Sequence, residues 1–350
     1  MDDFLFNEFS TVSPAAWKQK IQVDLKGADY NDSLIWKSNE GIDVKPFYTS
    51  EDRHNNNVCL PKDGYKICQS IFVGDVIIAN KIAVDSLERG ATAIQFIAKN
   101  TFDYIVLFDK IDTKQTHIYL NFEFLDAAFI SEIEKYCKGN YIYFQIDIIG
   151  NLAKTGNWFS NLNADISEKA KFIHTVTNSI CVDASLYQNA GATIIQELAY
   201  ALAHTNEYLE LFGESIALKI HYIFSIGSNY FFEIAKLRAF RILVEVLLKE
   251  RGIQHTTIHI FTKPSLRNKT IFDYNVNMLR TTSECMSAIL GGSDTISNIS
   301  YDSIYHKSNE FGERIARNQL LILKEEAYLS EAHKFANGAY YIENTEKQFA

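Results

Sequence analysis

Residues 179–226 read SICVDASLYQNAGATIIQELAYALAHTNEYLELFGESIALKIHYIFSI. A short β-rich run at 179–184 leads into a long stretch of helical periodicity at 192–211, and a second β-rich run follows at 222–226. Strand, long helix, strand is the unit of a parallel sheet, because parallel neighbours need a connection of about a dozen residues or more. The alternation continues in both directions from about residue 75. Runs at 93–98, 118–123, 142–149, 257–262, 295–299 and 339–342 also read as strands, which makes eight. Helical periodicity separates them at 76–89, 104–110, 125–138, 166–175, 229–251, 276–290 and 310–329. Eight such units predict an α/β chain closed into a (β/α)8 barrel. A dinucleotide-binding sheet is the rival, but no GxGxxG follows the first strand.

The first 57 residues differ from the rest. Three of only four prolines, Pro14, Pro46 and Pro61, fall in the first 61 residues, and 50–57 is a polar stretch. Ser13 before Pro14 marks a helix start, with the serine as cap and the proline where its missing N–H costs nothing. That helix is expected to run to Gly27. Residues 34–37 and 42–47 read as extended, separated by the turn Asn39-Glu40-Gly41. A short helix with extended pieces cannot bury itself. We therefore expect an N-terminal helical and extended arm, 1–57, that packs on its own body or on a partner subunit, followed by the barrel, 58–350.

Composition narrows the partners. The 350 residues are 47% hydrophobic and 22% charged, with 34 Lys plus Arg against 43 Asp plus Glu, a net charge of -9. No basic run offers phosphates a concentrated surface, so nucleic acid and anionic membrane are excluded. The apolar run at 142–150 is interrupted by Gln145 and Asp147 and is far shorter than the roughly 18 apolar residues of a membrane span. MDDFLFNEFS carries no secretory signal, so the expected location is cytoplasmic. Cys59, Cys68, Cys137, Cys181 and Cys285 are odd in number and lack CxxC spacing, as reduced structural thiols do.

In a barrel, chemistry sits just past the strands' C-terminal ends. After 179–184, taken as the fourth strand, the chain offers Asp183, Ser185 and Gln188. Asp183 is an acid or base by type, but a lone strand-end aspartate is more often a helix cap. Ser225-Ile226-Gly227-Ser228-Asn229 could present N–H groups to an anion, or form a turn capped by Asn229. His255 and His259 share one strand face without a neighbouring carboxylate, a weak metal signal. Gly291-Gly292-Ser293-Asp294 resembles a phosphate turn but lacks the P-loop lysine and precedes a strand. Around Glu233, Lys236, Leu237 and Phe240 the helix reads as a mixed surface for packing and solvation. The residues alone give no triad, metal cluster or nucleotide loop.

Longer strings carry a resemblance. DLKGADY at 24–30, EGIDVKPFY at 40–48, GATIIQELAYALAHTNEYL at 191–209, SIGSNYFFEIAKLRAFR at 225–241, NVNMLRTTSECMSAILGGSD at 275–294 and GERIARNQLLILKEEAYL at 312–329 resemble the methylmalonyl-CoA mutase family across nearly the whole chain. The resemblance implies a barrel that encloses an acyl-CoA, and adenosylcobalamin chemistry interconverting methylmalonyl-CoA and succinyl-CoA. The family's cobalamin domain carries D-x-H-x-x-G, which does not occur here, so no C-terminal cobalamin-binding domain is expected.

At the mouth the sequence departs from catalytic members. Their HMQEAGAT-like string places a histidine where Leu186 stands, and leucine cannot donate a hydrogen bond to a thioester carbonyl. Their RPWTIRQYAG-like segment corresponds to residues 64–72, which include no arginine to grip a carboxylate. Their QTSG-like string corresponds to Lys263-Pro264-Ser265-Leu266-Arg267. These departures match the family's small, non-catalytic subunit, which pairs with a catalytic large subunit. On that reading no catalytic residue is carried, Leu186 marks the degenerate position, and Ser185, Gln188, Ser225 and Lys263 are remnant mouth residues. No cofactor is bound by this chain alone, adenosylcobalamin enters the holoenzyme through the large subunit, and the arm wraps that partner. The alternative is a competent acyl-CoA mutase barrel that uses a cobalamin domain on another chain.

Overall fold

The computed structural model describes residues 8–54, 58–137, 141–254 and 257–350. Eight parallel strands form one sheet: β1 (Lys66–Phe72), β2 (Ala93–Ala98), β3 (His117–Phe122), β4 (Ile142–Phe144), β5 (Ile180–Asp183), β6 (Ile220–Ile226), β7 (His259–Pro264) and β8 (Thr295–Ile296). Their order is β4-β3-β2-β1-β8-β7-β6-β5, with Cys68 beside Ala93 and Thr295 beside Lys66. Between β4 and β5 the gap is bridged by Phe144 N donating to Asn178 O at 3.1 Å and Asn178 Nδ2 donating to Ile142 O at 3.0 Å. The sheet thus nearly closes, with helices around it, in the (β/α)8 arrangement.

Strand alternation sets the two faces. Outward Ile67, Ile71, Ile94, Phe96, Ile118 and Leu120 enter the main cores under the helices. Inward Cys68, Ala93, Tyr119, Tyr143, Cys181, Ile223 and Phe261, one from each of seven strands, contact one another along the axis. From β8, Thr295 Oγ1 meets Tyr119 OH at 2.6 Å. Helix starts follow the local chemistry: Asp75 Oδ1 accepts from Ile78 N at 2.9 Å, and Thr193 with Gln196 forms a capping box.

Three strand assignments from sequence change. The run at 339–342 belongs to helix Tyr340–Phe349, because Ile342, Thr345, Glu346 and Phe349 recur at helical spacing on its buried face. The strand that completes the barrel is β1, which lies within the arginine-free stretch 64–72. Strand numbers therefore rise by one, and 180–183 is the fifth. The run at 142–149 also splits: β4 ends at Phe144, and Asp147 caps helix Ile148–Thr155 by accepting from Gly150 N at 2.8 Å.

Helix Tyr230–Glu250 departs from its solvated reading. Lys236 is fully buried, its Nζ 2.8 Å from Glu197 Oε2, 2.6 Å from Glu233 Oε2 and donating to Ser225 O at 2.6 Å. Two carboxylates share one ammonium, and burial lifts Glu197 to about 7 against the pull of Lys236. The turn at 291–294 binds the protein itself, on the N-terminal side of β8. Arg241 Nη2 donates to Gly292 O at 2.6 Å and to Asp294 Oδ2 at 2.9 Å. Gly292 has φ +85°, and a Cβ there would meet Leu60 at 2.5 Å, so glycine is required.

The arm divides in two. Helix Pro14–Asp24 starts as its sequence predicts, with Ala16 N donating to Ser13 Oγ at 3.2 Å, but none of its residues is buried and Trp17 and Val23 are exposed. Farther on, helix Tyr30–Leu34 precedes an antiparallel pair, Trp36–Lys37 with Asp43–Val44. This hairpin sits on the barrel: Trp36 stacks on Phe232 at 5.5 Å, Ile195 N donates to Glu40 Oε2 at 3.2 Å, and Ile42 is buried in the core. All five cysteines are free, and only Cys59 is exposed. Among the described residues no helix is long and apolar enough to cross a membrane.

Candidate functional site

The mouth is built from the segments leaving β5, β6 and β7. Asp183 closes β5, and its Oδ1 accepts from Ser185 N at 3.1 Å and from Ser185 Oγ. This is the cap-like role, and it occupies the Ser185 hydroxyl. Helix Ser185–Ala190 then carries Leu186, Gln188 and Asn189. Asn189 Nδ2 donates to Ser185 O and to Ser225 Oγ, both at 2.9 Å, while its Oδ1 accepts from Leu266 N at 3.1 Å. Gln188 Oε1 accepts from Ser265 Oγ at 2.9 Å. Arg267 Nη1 donates to the backbone oxygens of Gln188 and Ala192, both at 3.1 Å.

Ser185, Gln188 and Ser225 are therefore brought together: the Ser185 and Ser225 hydroxyls and Gln188 Oε1 are engaged by neighbouring protein groups, while Gln188 also lines a cavity. Lys263 is the exception: it sits on the inward face of β7, half-buried, its side chain making no hydrogen bond or ion pair among the described residues. Asn229 caps helix Tyr230–Glu250, with Phe232 N donating to its Oδ1 at 3.3 Å. A cavity of about 370 Å³ lies beside this rim, between the arm's Trp36 and Glu40 and the barrel's Gln188, Glu233 and Arg267. Glu40, half-buried, has its pKa raised by burial.

Beneath the mouth the axis is occupied. Tyr119 OH lies 2.8 Å from His259 Nε2, and the Tyr143 and His259 rings stack at 4.3 Å. His117 stacks on Tyr141 at 4.4 Å, and His221 meets Tyr143 edge-on at 5.4 Å. Above them Ser70 Oγ donates to Gln95 Oε1 at 2.6 Å and pairs with Ser297 Oγ at 2.8 Å. His259 is thus an axial packing residue. His255 lies outside the described residues, which hold no group of three or more metal-ligating side chains.

A polar cluster that the sequence reading did not single out lies behind β5. Asp147 Oδ1 accepts from Tyr208 OH at 2.7 Å and sits 3.0 Å from His204 Nε2, while its Oδ2 accepts from Asp183 N at 3.0 Å. Burial alone would raise the Asp147 pKa, but His204 and these donors hold it at about 2. The available signal was the four-residue step from His204 to Tyr208 on one helix face. What the whole arrangement does is lock β4, β5 and their helices. The Asp147 and His204 side chains themselves are buried.

A family model described as methylmalonyl-CoA mutase matches residues 103–350. The chain belongs to the methylmalonyl-CoA mutase family. It is 35% identical to the methylmalonyl-CoA mutase small subunit of Porphyromonas gingivalis, over 97% of this chain and 61% of that one. It is 34% identical to the methylmalonyl-CoA mutase of Rhizobium meliloti, over 95% of this chain and 56% of that one. A probable methylmalonyl-CoA mutase large subunit of Mycobacterium bovis is 31% identical over 47% of this chain and 23% of that one. The chain thus spans about three fifths of the length of the first two relatives.

Membership raises the question of cobalamin. The remnant mouth positions carry no histidine to ligate cobalt, and the neighbouring His204 is buried against Asp147. The mouth thus supplies no cobalt ligand among the described residues, and the D-x-H-x-x-G string that carries that ligand in the family belongs to a separate domain.

Proposed function

We propose that this chain is the small, non-catalytic subunit of a heterodimeric, adenosylcobalamin-dependent methylmalonyl-CoA mutase, with the acyl-CoA and cobalamin sites on a catalytic large subunit. The observation that supports the reading is the filled axis: Tyr119, Tyr143, His259 and Phe261 stand in mutual contact along the axis that the family resemblance assigns to the acyl-CoA. Leu186 at the mouth agrees with it, since an apolar side chain supplies no donor to developing negative charge. The polar rim points the same way, because Ser185, Gln188 and Ser225 bond to the protein itself.

The arm supports a partner. Helix Pro14–Asp24 buries nothing and presents Trp17 and Val23, so covering it with the large subunit would remove apolar surface from water. On this reading 1–57 is the partner-binding arm, 58–350 is a structural barrel, and the assembly works in the cytoplasm. Co-expression with the large mutase subunit from the same source, followed by size-exclusion chromatography and assays with each chain omitted, tests it. One-to-one co-elution with no turnover by this chain alone is the expected result. Turnover of methylmalonyl-CoA by this chain, given adenosylcobalamin and a free cobalamin domain, would overturn it in favour of the competent-barrel alternative.

A further inference from the structure

A larger cavity, about 510 Å³, opens outside the axis between helices Val76–Glu88 and Glu310–Glu325, beside the C-terminal end of β1. Its volume falls within the range of roughly 300–1,000 Å³ common to small-molecule sites. One wall is apolar, formed by Ile71, Phe72 and Ile82, with Phe72 55% and Ile82 45% exposed. Arg317 also lines it and is only 6% exposed.

The guanidinium is under-partnered for such burial. Its one hydrogen bond among the described residues runs from Nη1 to Gln69 Oε1 at 2.8 Å, and its buried Nε–H has no acceptor. A buried charge ordinarily holds a hydrogen-bonded counter-ion. Glu313, one turn earlier on the same helix, accepts from Gln69 Nε2 and Ser308 Oγ instead. Asp85 is engaged by Arg89 at 2.7 Å. Lys81 adds a second cation to the lining, which also carries the carboxylates of Asp85, Glu310 and Glu313.

We propose that this cavity binds a small organic carboxylate with an apolar tail, the carboxylate against Arg317 and the tail along Ile71, Phe72 and Ile82. Guanidinium and carboxylate are matched in charge and geometry. The site is separate from the barrel axis and does not depend on which subunit carries the mutase chemistry.

Isothermal titration of the full chain with butyrate, hexanoate and phenylacetate, and with the corresponding amides, tests it. Saturable binding of at least one acid below about 1 mM, with its amide about tenfold weaker or worse, is expected. Arg317→Gln should weaken the acid about tenfold or more. Because that variant also loses the Gln69 contact and could fail to fold, Ile82→Glu, on a half-exposed wall, serves as the second: it should weaken the acid similarly while the circular dichroism stays native. No saturable binding of any acid, equal binding of acid and amide, or binding unchanged in Ile82→Glu would each overturn the proposal.

Discussion

The barrel axis and the cavity between helices Val76–Glu88 and Glu310–Glu325 both contain buried polar atoms without partners, yet they are built in opposite ways. On the axis both His221 nitrogens and His117 Nδ1 are orphaned among packed aromatic rings. Beside the outer cavity, Arg317 Nε is orphaned next to about 510 Å³ of open volume. An unpartnered polar atom points to a ligand only where space adjoins it. On the axis it is a cost of filling, offset by aromatic burial. In this barrel the axis is packed core, its inward side chains in mutual contact.

That contrast can be broken most strongly at Tyr119. Its ring packs against Tyr143 and Phe261, and its hydroxyl pairs with Thr295 and His259. Tyr119→Ala should cost about 3–5 kcal/mol in urea unfolding, as for a core aromatic. A loss below about 1 kcal/mol would mean the axis is loosely occupied and free to admit a ligand.

Acid sharpens the same point. Burial pushes the pKa of His117, His221 and His259 below the ordinary value, His117 to about 4. Other groups add to this: coupling to His259 at both His117 and His221, Lys66 beside His117, Lys169 beside His221 and Arg241 beside His259, while Asp294 and Asp147 oppose. The folded chain thus keeps these rings neutral while the unfolded chain protonates near pH 6.5. Stability is fully present above about pH 6.5 and is lost as pH falls toward about 4, by up to about 1.4 kcal/mol per histidine per pH unit. Urea titrations at stepped pH should show this slope, and His221→Phe should flatten it. An unchanged slope in that variant would show that His221 is not held neutral.

The smallest effect is expected at Trp17, whose ring meets that of Phe47 at 5.8 Å. Trp17→Ala should change the isolated chain by less than about 0.5 kcal/mol, as surface substitutions do. In the assembled pair it should weaken subunit binding measurably by analytical ultracentrifugation. Equal binding by the variant would remove the arm helix from the interface.

The repeating βα unit was legible in the sequence, because period-2 and period-3.6 patterns alternate over most of the chain. Two errors cancelled in the strand count. KICQSIF at 66–72 is a true strand whose inward Cys68 and Ser70 mute the apolar signal, while AYYI at 339–342 mimics one until the helical spacing through Phe349 is included. Of the site, Leu186 and the cluster of Ser185, Gln188 and Ser225 were legible as positions. That Gln188 and Ser225 are engaged by protein groups was not, since Ser265 and Asn189 make those bonds across loops from different strands. The Asp147–His204 pair and the lone Arg317 were hidden for the same reason: each depends on partners brought together only by barrel closure.

If the axis of this chain is closed to substrate, counting acyl-CoA sites in the proposed assembly with a large subunit will find none on this chain. On the proposed function, equilibrium titration of a purified complex of this chain with a large subunit should saturate at one methylmalonyl-CoA per pair. Saturation at two, with one lost when the mouth of this chain is blocked by Gly227→Trp, would contradict it.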